Sequence, residues 1–149
     1  ETDEIVNKKL RTVLASGLKA VFCVGEKEKI KDAAFPAVIR DELRFGLKKI
    51  KKSFFKNLII AYEPIWAIGA GKGDAPKDIY EMTLMIRREL YRMLGHRVAS
   101  RVPILYGGSV DERNSTALLK HGGVDGLLIG GASLNPKKFV KIVKEVAKL

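Results

Sequence analysis

Residues 57–78 read NLIIAYEPIWAIGAGKGDAPKD, and their order decides the fold. Leu58–Tyr62 is a short apolar run, the length and composition of a buried strand. Glu63 and Pro64 end it. A glycine-rich loop runs from Gly69 to Asp74, and Pro76 with Asp78 opens a helix that extends to about Leu94. Strand, glycine loop and helix form the repeating unit of a parallel sheet covered by helices.

The same unit recurs on both sides. Ile5, Val6, Leu10, Val13 and Leu14 recur at helical spacing, so Glu1–Ser16 is predicted as a helix that Gly17 stops. Lys19–Val24 is predicted as a strand and Ala34–Lys49 as a helix, with Pro36 tolerated near its start. Beyond the central unit, Val102–Tyr106 is predicted as a strand, Asp111–His121 as a helix and Gly126–Ile129 as a strand. Asn135-Pro136 begins a last helix. A leading helix and four strand–helix units suit a single domain over 1–149. They fit either a small doubly wound sheet or half of an eight-stranded barrel, whose usual length is ~250 residues. Both architectures bind ligands at the C-terminal ends of their strands.

The composition restricts the function classes. Under a third of the residues are charged and 46% are apolar, which predicts a soluble globular chain. No apolar run approaches the ~20 residues that span a bilayer, so no membrane role is expected. The charged N-terminus, ETDEIVNKK, lacks the apolar core of a signal peptide and an initiator Met. The single cysteine, Cys23, forms no internal disulfide and fits a reducing cytoplasm. The net charge is +11. Its lysines scatter over helical faces without interleaved aromatic residues, which predicts a solvated surface that binds no nucleic acid. Such a field can also draw in a small anion.

All four strand ends carry glycine or polar residues: Gly25-Glu26, Glu63-Pro64, Gly107-Gly108-Ser109 and Gly130-Gly131-Ala132-Ser133. Glu63 would sit at the mouth of the sheet. Ile65, Trp66 and Ile68 lie near it in sequence, and apolar neighbours raise a carboxylate's pKa and strengthen it as a base. A structural carboxylate in a strand-end ion pair fits the position equally. Residues 64–73 are longer than the usual two to about six of such a loop, so a lid is expected. It has a stiff start at Pro64 and Trp66, and a tip of Gly69 and Gly71 followed by Lys72-Gly73. The two Gly-Gly segments at 107–109 and 130–133 read as anion cradles, because glycine lets backbone N–H groups approach a phosphate.

AYEPIWAIGAGKG, ILYGGSV and DGLLIGGASL, in this order and spacing, resemble the triosephosphate isomerase family. CVGE at 23–26 and the N-terminal ETDEIVNKK support the match, which covers nearly the whole chain. The resemblance implies the C-terminal half of a (β/α)8 barrel, from the helix after the fourth strand to the chain end. It implies a cofactor-free and metal-free interconversion of dihydroxyacetone phosphate and glyceraldehyde 3-phosphate. Glu63 would take the proton from the carbon beside the carbonyl. Gly69, Ser109, Gly130 and Gly131 would hold the phosphate. Ile68 and Leu128 would close over the carboxylate, and Tyr106 with Ser109 would hold the closed lid.

The family also needs a Lys from its first strand and a His from its fourth, and neither motif is in this chain. His96 and His121 read as surface residues at a helix–strand connection and a helix end. Little or no isomerase activity is therefore expected of the chain alone. The partners implied are a small phosphorylated triose, an N-terminal half-barrel in the same or a separate chain, and further copies in a homo-oligomer. A phosphate-binding or self-associating half-barrel without turnover is the alternative. Three departures from the family stand out: KEKIKDAAF after CVGE, Ala70 where Thr is usual, and Gly73-Asp74 for Thr-Ala. Cys23 and Glu26 fit a buried small residue and a structural carboxylate at least as well as a direct role.

Overall fold

Thr2 caps the first helix by accepting the amide of Ile5, and Asp3 and Glu4 place negative charge at its positive end. That helix, α1, spans Asp3–Ala15 and ends before Gly17, whose φ is +79°. The computed structural model describes residues 1–29, 35–68 and 74–149. Strand β1 follows at Ala20–Val24, helix α2 at Ala37–Gly46 and strand β2 at Leu58–Tyr62. Helix α3 runs Pro76–Leu94, a short helix α4 His96–Ala99, and strand β3 Ile104–Tyr106. Helix α5 (Ser115–His121), strand β4 (Gly126–Leu127) and helix α6 (Pro136–Val146) complete the order.

The four strands are parallel and lie in the order β1-β2-β3-β4. Each strand is added beside its predecessor, so the order never reverses as a doubly wound sheet must. The two faces also differ. Phe22, Val24, Ile60, Tyr62, Ile104 and Tyr106 share one face and are buried beneath the helices. On the other face Val21 is 45% exposed and Cys23 is exposed. A sheet covered on one face, stepping in one direction and left unclosed is half of a (β/α)8 barrel. That decides between the two architectures the sequence allowed.

The covered face holds the core. Helix α3 buries Ile79, Thr83, Ile86, Leu90 and Leu94, one stripe at helical spacing. Its Glu89 is buried and takes Arg44 of α2 at 2.7 Å, which joins the two helices. Arg87 donates to the carbonyls of Ala99 and Val102 and pairs with Asp125 at 2.9 Å. Asp125 in turn accepts the amide of Ile104 at 2.7 Å. One arginine thereby fixes α3 to the starts of β3 and β4.

Several boundaries differ from expectation. The second helix starts at Ala37, with Pro36 as its N-cap, and ends at Gly46 instead of Lys49. Ala34, where it was expected to begin, lies outside the described residues. The strand expected from Val102 starts at Ile104, because the N–H-free Pro103 offers only its carbonyl, which Ile60 takes at 2.9 Å. The helix expected from Asp111 starts at Ser115. The Asp111 carboxylate accepts the amides of Arg113 and Asn114, and this local turn competes with the helix. The fourth strand pairs only over Gly126–Leu127. His96 opens the short α4 and stacks on Tyr91, with ring centroids 4.7 Å apart. Lys52–Asn57, read as no element, forms a 3-10 helix that buries Phe55.

Candidate active site

Glu63 is the first residue beyond β2, and both neighbouring strands fix it. Its amide donates to the carbonyl of Val24 at 2.8 Å on the β1 side. On the other side the amide of Gly107 donates to the carbonyl of Tyr62 at 2.8 Å. The side chain is half-buried. The thiol of Cys23, across the register from Ala61, lies 3.4 Å from Glu63 Oε1 as a donor. Partial burial, then the charge and hydrogen bond of Glu63, push the Cys23 thiol up to about 11. Of the two readings left open for Cys23, the buried small residue does not hold: it is exposed on the uncovered face of the sheet.

Two glycines make room for Glu63, Gly25 for its backbone and Gly107 for its side chain. A Cβ on Gly25 would lie 1.9 Å from the Glu63 carbonyl oxygen, and one on Gly107 would lie 2.5 Å from Glu63 Cγ. A Cβ on Gly108 would lie 2.2 Å from the Tyr106 hydroxyl. In the first Gly-Gly pair, Gly107 thus leaves room for the Glu63 side chain and Gly108 for the Tyr106 ring. The second pair differs: a Cβ on Gly130 or Gly131 would meet nothing, and both residues are exposed. Among the described residues the amides of Ser109, Gly130 and Gly131 donate to no acceptor. The carbonyls beside them are occupied: Ser109 takes Asn114 Nδ2 at 2.9 Å, and Gly130 takes the Ser133 amide and hydroxyl.

A polar cluster lies beneath the loop after Glu63. Glu26 is buried and accepts the Tyr62 hydroxyl at 3.0 Å and Trp66 Nε1 at 2.8 Å. It fixes the strand end, as the structural reading of this carboxylate expects. Lys29 pairs with Asp74 at 2.6 Å and Asp78 at 2.8 Å, and lies 5.0 Å from the Trp66 ring centroid. The Asp74 amide donates to the Tyr106 hydroxyl at 3.2 Å. Burial raises the Asp74 carboxyl, while the Lys29 hydrogen bond lowers that of Asp78.

The structure thus brings Glu63, Tyr106 and Gly107 together at one end of the sheet. Pro64 is buried and Trp66 is half-buried. Ile65 and Ile68, the apolar neighbours expected over Glu63, are exposed. Leu128 is half-buried and donates its amide to the Tyr106 carbonyl at 2.8 Å. Gly69 and Lys72, and with them the tip of the expected lid, lie outside the described residues. Sequence reasoning missed the Lys29–Asp74 contact. Its only signal was the departure at KEKIKDAAF, where one lysine is not distinguishable from its neighbours.

The comparison with known proteins agrees with this geometry. The family profile described as triosephosphate isomerase matches residues 1–146. The chain is 40% identical over 145 residues to the triosephosphate isomerase of Mycoplasmoides gallisepticum, covering 97% of this chain and 58% of that protein. It is 43% identical over 145 residues to that of Chloroherpeton thalassium, with the same coverage. Against the Dehalococcoides mccartyi protein of that name it is 42% identical over 148 residues, which cover 99% of this chain and 57% of the relative. The chain spans less than two thirds of the length of these relatives. The profile match, the one-way parallel sheet and the strand-end carboxylate agree: this chain belongs to the triosephosphate isomerase family.

Proposed function

We propose that this chain is the half of a triosephosphate isomerase that carries the base and the phosphate seat. Glu63 takes a proton from the carbon beside the carbonyl of dihydroxyacetone phosphate and returns it to the neighbouring carbon, giving glyceraldehyde 3-phosphate. The enediolate between these states carries charge on oxygen. Its stabilisation falls to groups outside this chain, the family's Lys and His. Ser109, Gly130 and Gly131 hold the phosphate through backbone amides, with Gly69 of the lid. That grip supplies binding energy remote from the reacting carbon. Pro64, Trp66, Ile68, Lys72, Tyr106 and Leu128 position and close the lid, which excludes water from the enediolate.

The single observation that carries this reading is the seat of Glu63. Gly25 leaves no space for a Cβ beside the Glu63 backbone and Gly107 none beside its side chain, at the end of β2 and within reach of the exposed Cys23. The uncovered face also supports a partner. Chain 1–149 acts as one half-barrel domain, completed by an N-terminal half in the same or a separate polypeptide. The completed enzyme needs no cofactor, assembles as a homo-oligomer and works in the cytoplasm on glycolytic and gluconeogenic triose phosphates.

Assaying the 149-residue chain with glyceraldehyde 3-phosphate, alone and mixed with an N-terminal half-barrel from a relative, tests the proposal. Turnover should appear only on mixing, and near-normal turnover of the lone chain would overturn it. The exposed apolar residues Leu134, Val140 and Val143 at the α6 side favour a second reading, in which two copies pair without turnover. Sedimentation of the lone chain separates the two, because self-pairing predicts a dimer that an added N-terminal half does not dissociate.

A further inference from the structure

Positive charge gathers at the end of the molecule opposite Glu63. A cavity of about 660 Å3 lies between α1 and the segment that joins α2 to β2. Lys8 and Arg11 of α1 line one side and Lys49 and Lys51 the other, with the half-buried Ile50 and Phe54 between them. Among the described residues no acidic side chain lines the cavity. Among the described residues none of these four cations takes part in an ion pair. The hydroxyls of Thr12 and Ser16 are occupied by carbonyls of their own helix. The Asn7 amide holds the cavity's two sides together by donating to the carbonyls of Gly46 and Lys48 at 2.8 and 2.9 Å.

Lys49 adds an independent observation. Its φ is +59°, and among the described residues it is the one non-glycine in the left-handed region. A lysine there is strained where glycine is not. Backbone strain of this kind clusters at ligand sites, where the surrounding structure maintains it. Here it lies in the cavity wall.

We propose that this cavity binds a small molecule with two or more linked phosphates and a flat apolar body, the chemical class of nucleoside polyphosphates. The four cations lie on two facing sides, so a ligand that meets both carries more than one anionic group. Arginine and lysine are the usual partners of phosphate oxygens. Phe54 and Ile50 offer the apolar surface against which a base rests. The site is separate from the phosphate seat at Ser109 and Gly130, because the segments that line it lead into the opposite ends of β1 and β2.

Calorimetric titration at low salt, on the chain mixed with a complementing N-terminal half-barrel, tests the proposal with metal-free ATP, inorganic triphosphate and adenosine. ATP should bind at one site, at least tenfold tighter than adenosine. Lys8→Glu with Arg11→Glu should weaken ATP tenfold or more, and so should Lys49→Glu with Lys51→Glu on the facing wall. Lys137→Glu with Lys141→Glu makes the same charge change on α6 and should cost less than twofold. Phe54→Leu should weaken ATP and leave triphosphate unchanged. Equal losses in the α6 pair would show a diffuse field and overturn the site. Indifference to both cavity pairs, or tighter binding of a single-stranded oligonucleotide than of ATP, would also overturn it.

Discussion

At Gly107 an added methyl would lie 2.5 Å from Glu63 Cγ and 2.9 Å from Oε1. Gly107→Ala must therefore displace the carboxylate or the strand end. Overpacking of this kind costs about 1–3 kcal/mol. Under the role proposed for Glu63, displacement costs turnover as well: an error of about 1 Å is worth on the order of a hundredfold. In the completed enzyme this variant is expected to lose roughly that factor in kcat while its KM changes little. Glu63→Gln should lose more, since the amide accepts no proton. The same carboxylate acts on Cys23, whose thiol burial and the Glu63 charge push up to about 11. On the isolated chain, alkylation of Cys23 should rise with a midpoint near pH 11, and Glu63→Gln should move that midpoint down. An unchanged midpoint would separate the thiol from the carboxylate.

At the scale of elements, Lys29 joins the segment after β1 to the start of α3. Lys29→Met removes the cation that pairs with the buried Asp74 carboxylate, which among the described residues also accepts the Ala75 amide. A hydrogen bond to a charged group is worth about 2 kcal/mol, and urea unfolding should show a loss of that order. Its pH dependence has a definite sign. The two carboxylates hold the Lys29 ammonium above its ordinary value. The contribution is therefore complete below the unfolded lysine value of about 10.4 and fades as pH rises beyond it. Asp78 acts at the other end. Lys29 lowers its carboxyl, so its share is present above the unfolded value of about 3.9 and is lost as pH falls further. Asp74 opposes Asp78 there, since burial raises its carboxyl. A second element prediction concerns Lys49. Lys49→Gly relieves a left-handed lysine and should raise stability by about 1 kcal/mol, read as a higher urea midpoint.

The elements also show what a sequence makes legible. LIIAY gave β2 its full length, because an unbroken apolar run needs no partner to be recognised. Pro76 with Asp78 marked the start of α3, since a proline in the first turn acts through its own backbone. β3 and β4 were read too long, because the sheet's register and Pro103, not apolarity, decide where pairing stops. The site followed the same division. Glu63 stood out by its place after a strand. The job of Gly107 did not, because its constraint is a side chain 44 positions away in sequence order. Lys29 and Asp74 are likewise 45 positions apart, and no local pattern links them.

For the whole molecule, the uncovered inner face and the two sheet edges dominate. At one edge β1 leaves Val21 and Cys23 exposed, beside a groove of about 430 Å3 that also takes in Val13 and Lys19. At the other, Leu134 is 87% exposed and Val140 and Val143 lie open on α6. Unpaired edges and apolar patches promote association. The lone chain should bind a hydrophobic dye, and a complementing N-terminal half should suppress that signal. Val21→Lys should weaken complementation at the β1 edge while leaving the chain's own helical signal intact. An undiminished dye signal in the active mixture would show that these faces are not the ones covered.

The one-way strand order has a consequence for synthesis on the ribosome. Each of β2, β3 and β4 pairs with the strand made just before it, so none of the three waits for a partner still to be translated. Pairing can advance vectorially with the emerging chain, at the pace of translation of about 5–20 residues per second. The strand with no earlier neighbour in this chain is β1. Its outer edge is covered at once where the proposed N-terminal half precedes it on the same polypeptide, and waits for docking where that half is a separate chain.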